Sequence, residues 1–140
     1  IVKREHGDFS VYDLRKELQN TMDKHVGVFR DEKSLTEGIT TIRHLKEEFR
    51  GIQVNDTSAS YNLEWINAAE LRNLLDLSLV IAYSALFRKE SRGAHYRVDY
   101  PFRDDRNFLV HTVAQRSGDD VVISTKPVKI TNWQPGERKY

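Results

Sequence analysis

Cysteine is missing from all 140 residues, which removes disulfide scaffolds and any Cys-ligated zinc or iron–sulfur site held by this chain. It also fits an intracellular protein. A charge excess is missing too: Lys and Arg total 22 against 21 Asp and Glu, a formal net charge of +1. No overall basic field therefore argues for nucleic acid or anionic lipid. Apolar runs stop well short of the ~18 residues that would mark a spanning segment, and no signal peptide is visible. Glycine-rich phosphate loops are absent, since Gly93, Gly118 and Gly136 each stand alone. No Ser or Thr sits in a nucleophile elbow. The chain opens Ile1-Val2-Lys3 with no Met, which reads as a fragment or a processed product.

What is present is helical periodicity followed by strand-like alternation. Residues 1–9 are polar and read as a lead-in. Ser10, with Asp13 in the first turn, is an N-cap signal for a helix carrying Val11, Leu14, Leu18 and Met22 at spacings of three and four. Gly27 should stop it. A second helix starts close behind, capped by Asp31 or by Ser34 in a capping box with Glu37. It carries Leu35, Ile39, Ile42, Leu45 and Phe49 and closes at Gly51. The short connection predicts an antiparallel pair.

Residues 52–61 are a polar connection, and Asn62 is the expected cap of a third helix over Leu63 to Arg92, about 45 Å long at ~1.5 Å per residue. Its first half is amphipathic, with Leu63, Ile66, Leu71, Leu74 and Leu75. From Leu77 to Phe87 apolar side chains surround the whole circumference. Two short helices cover only part of such a cylinder. Either the C-terminal segment folds back to finish the covering, or protein outside this chain does so.

After Asp105 the period changes. Phe108 to Gln115 alternates imperfectly, Ser117-Gly118-Asp119-Asp120 is a turn signal, and Val121 to Thr125 is β-rich. An antiparallel hairpin is expected, ended by Pro127, with Val128 to Thr131 as a further extended piece. The tail from Asn132 to Tyr140 has no period. The resulting fold class is mainly α: a three-helix bundle with a small C-terminal β-hairpin and an extended tail. Residues 1–106 form the bundle and its charged exit, and residues 107–140 pack on it as part of one domain.

The chemistry concentrates between Glu90 and Asp105, E-S-R-G-A-H-Y-R-V-D-Y-P-F-R-D-D. From Phe87 to Arg106 six basic residues face four acids, too small an excess for a nucleic-acid footprint, so internal ion pairing is the better account. Arg88 and Arg92 would share a helix face, needing an acid between them, and Asp99, Asp104 or Asp105 could return to supply it. Gly93 fits a left-handed helix terminus, and Pro101 forbids helix soon after. Of His6, His25, His44, His95 and His111, none has a partner at metal-binding spacing. His95 alone lies in the charged cluster, where a structural or interface role outweighs acid–base chemistry.

This exit motif with Asn107-Phe108 closely resembles the C-terminal region of succinate dehydrogenase and fumarate reductase flavoprotein subunits. So do Leu18 to Met22, Val26 to Arg30, Glu70 to Leu75, and Lys126 to Ile130. L-aspartate oxidase and adenylylsulfate reductase share the general domain, but Arg97 and Arg103-Asp104-Asp105 look more like the succinate/fumarate branch. An L-aspartate oxidase fragment and a free-standing helical adaptor remain as alternatives. The resemblance implies a spectrin-repeat-like bundle that packs, in a whole subunit, against an FAD-binding domain and beside an iron–sulfur subunit. It implies a parent complex that is cytoplasmic and peripheral to the membrane, with no direct membrane insertion here. The family's FAD fingerprint and substrate residues lie upstream, so no catalytic, cofactor-binding or metal-binding residue is expected in these 140. Glu90, Arg92, Gly93, His95, Arg97, Asp99, Arg103, Asp104 and Asp105 are expected to form an interface or structural motif. Self-association through Leu77 to Phe87 would be one way for the isolated fragment to cover its third helix.

Overall fold

The computed structural model describes residues 10–134 and 136; the lead-in 1–9 and the end of the tail lie outside them. Helix α1 spans Val11–His25, α2 Glu32–Phe49 and α3 Leu63–Phe87. Each begins at a polar cap. The side chains of Ser10, Asp31 and Asn62 accept hydrogen bonds from the backbone N–H groups of Asp13, Ser34 and Trp65, satisfying donors that have no intrahelical partner.

The three helices bury one shared stripe. Val11, Leu14 and Leu18 of α1 meet Leu35, Ile39, Ile42 and Leu45 of α2, and α3 contributes Ala68, Leu71, Leu75, Leu79, Ala82 and Ala85. The small residues let α3 lie close to its partners. Gly38 does the same for α2, because a Cβ there would stand 2.8 Å from the Cβ of His25. The mainly α bundle expected from the periodicity is what forms.

Beyond α3 the chain makes a short helix, α4 (Asp105–Phe108), and a hairpin of β3 (Val110–Ser117) and β4 (Asp120–Pro127). Its register runs from Val110 opposite Pro127 to Ser117 opposite Asp120. Gly118 takes the positive φ (62°) that a two-residue hairpin turn requires at its first central position. The hairpin leans on the bundle: Val121 packs against the core, and Arg43 of α2 and its C-cap Arg50 donate to the carboxylates of Asp120 and Asp119 at 2.7 and 2.8 Å. Val128 to Thr131 join no strand.

Two features depart from expectation. First, α3 stops at Phe87 rather than Arg92. Arg88 is already extended (φ −79°, ψ 100°), because the last carbonyls of the helix are taken by a side chain arriving from Arg97. Gly93 is left-handed (φ 59°), yet it serves a turn beyond the helix in which Arg92 and His95 exchange backbone hydrogen bonds of 2.8 and 3.0 Å. Second, Leu63, Ile66 and Leu74 are not core residues. They lie exposed together with Leu77 and Ile81, because the hairpin covers one flank of α3 and α1 and α2 another.

A two-stranded parallel contact also appears that no periodicity announces. Strand β1 (Phe29–Arg30) pairs with β2 (Tyr96–Arg97), Phe29 opposite Tyr96 and Arg30 opposite Arg97. It ties the α1–α2 turn to the exit of α3.

Candidate structural site at the exit of α3

Two carboxylate–guanidinium centres organise residues 88–105. At the first, Glu90 is fully buried. Both its oxygens accept from Arg92, Nε and Nη2 each donating at 2.9 Å, a bidentate fork. Arg88 donates to the same carboxylate through Nε and Nη2, and the Asp104 backbone N–H donates to it at 2.9 Å. Burial works to raise the Glu90 carboxyl, but hydrogen bonds from Arg92, the Asp104 N–H and Arg88 outweigh it and hold the group below the usual carboxylate range.

Both arginines are anchored further. Arg88 also donates to the carbonyls of Phe108 and Val110 and to the Thr112 hydroxyl, pinning the hairpin root to the end of α3. Arg92 donates to Asp105 at 2.7 Å, and Arg103 pairs with Asp105 at 2.8 Å. The Asp105 carboxyl is lowered first by the Arg92 hydrogen bond, and Glu90 is the main cause that raises Arg92. Asp104 faces the other way: it caps α4, accepting from the N–H groups of Arg106 and Asn107.

The second centre is Arg97, whose side chain is likewise fully buried. Nε and Nη2 fork onto Asp99 at 2.7 and 2.6 Å. Nη1 donates to the carbonyls of Ala85, Leu86 and Arg88 at 3.1, 3.2 and 3.4 Å. Since α3 has no basic residue in its own last turn, this guanidinium supplies the positive charge that a helix C-terminus favours. Asp99, held low first by Arg97, also accepts from the Glu32 N–H at 2.9 Å, so one carboxylate joins the end of α3 to the start of α2.

His95 lies between the centres. Its Nδ1 faces the Arg30 guanidinium at 2.9 Å and its Nε2 faces the Arg88 carbonyl at 3.2 Å. A guanidinium only donates and a carbonyl only accepts, so Nε2 carries the proton and Nδ1 is bare. Burial, joined by the charges of Arg30, Arg97 and Arg88, pushes the imidazole below its ordinary pKa despite the Arg88 carbonyl. Arg30 in turn donates to the Val26 and Gly27 carbonyls at 3.1 and 2.8 Å, holding the turn just beyond α1.

The expected motif residues therefore do come together, but in different pairs. The acid between Arg88 and Arg92 is Glu90, not a returning aspartate alone; Asp105 reaches Arg92 but not Arg88. Arg88 and Arg92 share no helix face, because the helix has ended. Arg30 belongs to the cluster and was not singled out from sequence, although it closes the Val-Gly-Val-Phe-Arg run. Among the described residues no three His, Asp or Glu side chains gather as a metal site, and no helix is long and apolar enough to cross a membrane.

Residues 15–140 match the family described as fumarate reductase flavoprotein C-term. The chain belongs to that family. It is 42% identical over 135 residues to the fumarate reductase flavoprotein subunit of Mycobacterium tuberculosis, covering 96% of this chain and 23% of the relative. It is 45% identical over 134 residues to the succinate dehydrogenase flavoprotein subunit of Rickettsia bellii, covering 93% and 22%. A solved structure of E. coli quinol fumarate reductase superposes with a TM-score of 0.90 at 34% identity, over 96% of this chain and 23% of that one. Adenylylsulfate reductase from Archaeoglobus fulgidus shares the fold at a TM-score of 0.82 and 23% identity, over 94% and 21%. The chain thus spans about a quarter of the length of the curated relatives it matches.

Around the exit cluster the described residues offer no cradle for the flavin that this family's name implies. Gly93 and Gly118 stand alone in separate turns, offering no run of backbone N–H groups for a pyrophosphate. The guanidiniums of Arg88 and Arg97 are spent on carboxylates, carbonyls and a hydroxyl of this same chain.

Proposed function

We propose that these residues are the C-terminal domain of a subunit that interconverts succinate and fumarate through FAD, exchanging electrons with an iron–sulfur subunit. Bundle and hairpin act as one domain. Its task is structural: it braces the FAD-binding part and contributes to the subunit interface, while catalysis lies in the remaining polypeptide. The parent complex is cytoplasmic and peripheral to the membrane.

The observation that carries this reading is the internal closure of the exit cluster. Glu90 and Arg97 are buried, His95 has both ring nitrogens engaged, and Asp99 and Asp105 are held ionised by arginines. A general acid must give a substrate a proton and a general base must take one, and the protons and lone pairs of these groups are engaged within the chain. Outward the cluster presents apolar side chains among its exposed charges: Val28, Phe29, Tyr96, Val98 and Phe102 are exposed around it. Phe29 and Tyr96 pack edge to face at 5.8 Å between ring centres. A rigid charged base with an apolar rim suits protein contact.

Two measurements test this. The purified 140-residue chain is expected to show no flavin absorbance and no succinate binding by calorimetry; either signal sinks the structural role. In the whole subunit, Arg92→Ala is expected to reduce flavin retention or assembly before it touches turnover. A stable, fully flavinylated Arg92→Ala subunit with lost turnover would place Arg92 in the chemistry instead.

A further inference from the structure

Between the end of α2, the first half of α3 and the tip of the hairpin lies a cavity of about 600 Å³, within the size range of small-molecule sites. Its floor is apolar, made by the core residues Ile52, Ala68 and Leu75. The face of α3 that lines it carries Trp65, then Ala68 and Ala69, then Arg72. Trp65 and Arg72 stand about two turns apart, and the alanines between them leave a trough about 10 Å long. At ~100° per residue this face points about 150° away from the exposed row of Leu63, Ile66, Leu74, Leu77 and Ile81. Protein laid over that row would leave the trough open.

The charges around the cavity are unevenly committed. Four basic side chains and two carboxylates line it, in a chain whose formal net charge is +1. Lys46 is spent on Asp76 at 2.7 Å and Arg50 on Asp119 at 2.8 Å, so these four cancel in pairs. Arg116 lies 3.9 Å from each of the two carboxylates, beyond hydrogen-bond distance. Its Nε alone is engaged, donating to the Gly118 carbonyl at 2.9 Å. Arg72 is exposed at one end of the trough and has no ion pair or side-chain hydrogen bond among the described residues. A single exposed arginine is ordinary. Two with open Nη groups, converging on one cavity lined by an indole, call for an anion with a flat body.

We propose that this cavity binds a nucleoside monophosphate, its base stacked on the Trp65 indole and its phosphate held between the guanidiniums of Arg72 and Arg116. Any base can stack on an aromatic side chain through its π-face. A phosphomonoester carries ~−1.5 to −2 charge at pH 7, the complement of two uncommitted cations, and the planar guanidinium fork suits phosphate oxygens. Free phosphate uses the cations and leaves the trough empty. A nucleoside fills the trough and leaves the cations unpaired. Only the joined molecule uses both ends.

Calorimetry on the whole flavoprotein subunit with its flavin bound, using AMP, adenosine and inorganic phosphate as separate titrants, tests this. AMP is expected to bind with a Kd below about 1 mM, and adenosine and phosphate each at least about tenfold more weakly. Trp65→Ala and Arg72→Gln are each expected to weaken AMP binding at least about tenfold. Both side chains are exposed, so the bundle core is untouched. Photolabelling of the unsubstituted subunit with an azido derivative of AMP needs no variant, and the label should map to the peptide that contains Trp65. Phosphate that binds within about tenfold of AMP makes this an anion site only and overturns the proposal. So does AMP binding weaker than about 1 mM, a smaller loss in either variant, or a label that falls outside the peptides lining the cavity.

Discussion

The Nη1 group of Arg97 donates to the carbonyl of Ala85 at 3.1 Å, so a residue ten positions beyond α3 completes the helix's last turn. The same guanidinium lies over the Tyr100 ring, 5.1 Å from its centre, and forks onto Asp99. No other side-chain type supplies a planar fork and a further donor together. Arg97→Ala leaves Asp99 and the α3 carbonyls without this partner, and is expected to cost ~3–5 kcal/mol of unfolding free energy. Arg97→Lys should recover only part, since an ammonium cannot fork onto Asp99 while reaching those carbonyls. Urea unfolding decides: a wild-type midpoint for Arg97→Lys would show that charge alone suffices.

Glu90 makes a pH-dependent contribution with a definite sign. Its carboxyl is held below the usual range in the folded chain, while the unfolded value is ~4.3. The stabilisation is therefore fully present above the unfolded value and is lost as pH falls through the folded one. Glu90→Gln keeps the shape but leaves Arg88 and Arg92 facing a neutral amide. At pH 7 it is expected to lose ~3–5 kcal/mol, and the gap to wild type should narrow in acid, where wild type also loses the charge. Chemical denaturation at several pH values would show this; a gap that stays constant would mean the carboxylate's charge is not what matters.

His95 acts at higher pH. Burial and the surrounding arginines keep its folded-state pKa below the ordinary value, whereas the unfolded imidazole binds a proton near ~6.5. Between those two values the unfolded chain holds more protons, so stability falls as pH drops below ~6.5. Protonation would also set an Nδ1–H against the Arg30 guanidinium, loosening the link between the α1–α2 turn and the exit of α3. His95→Gln is expected to flatten the stability slope just below about pH 6.5. An NMR titration giving His95 an ordinary midpoint would remove the basis for this.

Where helices begin was legible in the sequence, as were the ends of α1 and α2, which stop just before Gly27 and Gly51; where α3 ends was not. Ser10, Asp31 and Asn62 act on N–H groups three residues away, so the signal is local. The end of α3 is set by Arg97, which reaches back from a strand beyond the helix, and periodicity carries no trace of that. The same limit applied to the cluster. Its residue types were visible, but pairing Arg88 and Arg92 on a helix face assumed a helix that Arg97 terminates. The all-round apolar character of α3 was read correctly, as was the hairpin. That the uncovered side would be Leu74, Leu77 and Ile81 depended on which flank the hairpin took.

The packing of α1 on α2 yields a substitution whose usual sign should reverse. Replacing a helix-interior glycine by alanine normally gains ~1 kcal/mol. At Gly38 the new Cβ would stand 2.8 Å from the His25 Cβ and 3.5 Å from Val26 Cγ2. Neither neighbour is the tip of a flexible side chain: the His25 Cβ is fixed to the last turn of α1. Relief therefore requires that turn to move, and the Val26 and Gly27 carbonyls that Arg30 holds lie immediately beyond it. Gly38→Ala is expected to lose ~1–3 kcal/mol as an overpacked contact, and to shift the ring resonances of His95, which Arg30 touches at 2.9 Å. A raised unfolding midpoint would mean that α1 and α2 can separate freely there, and that the α1–α2 turn is not coupled to the exit cluster through Arg30.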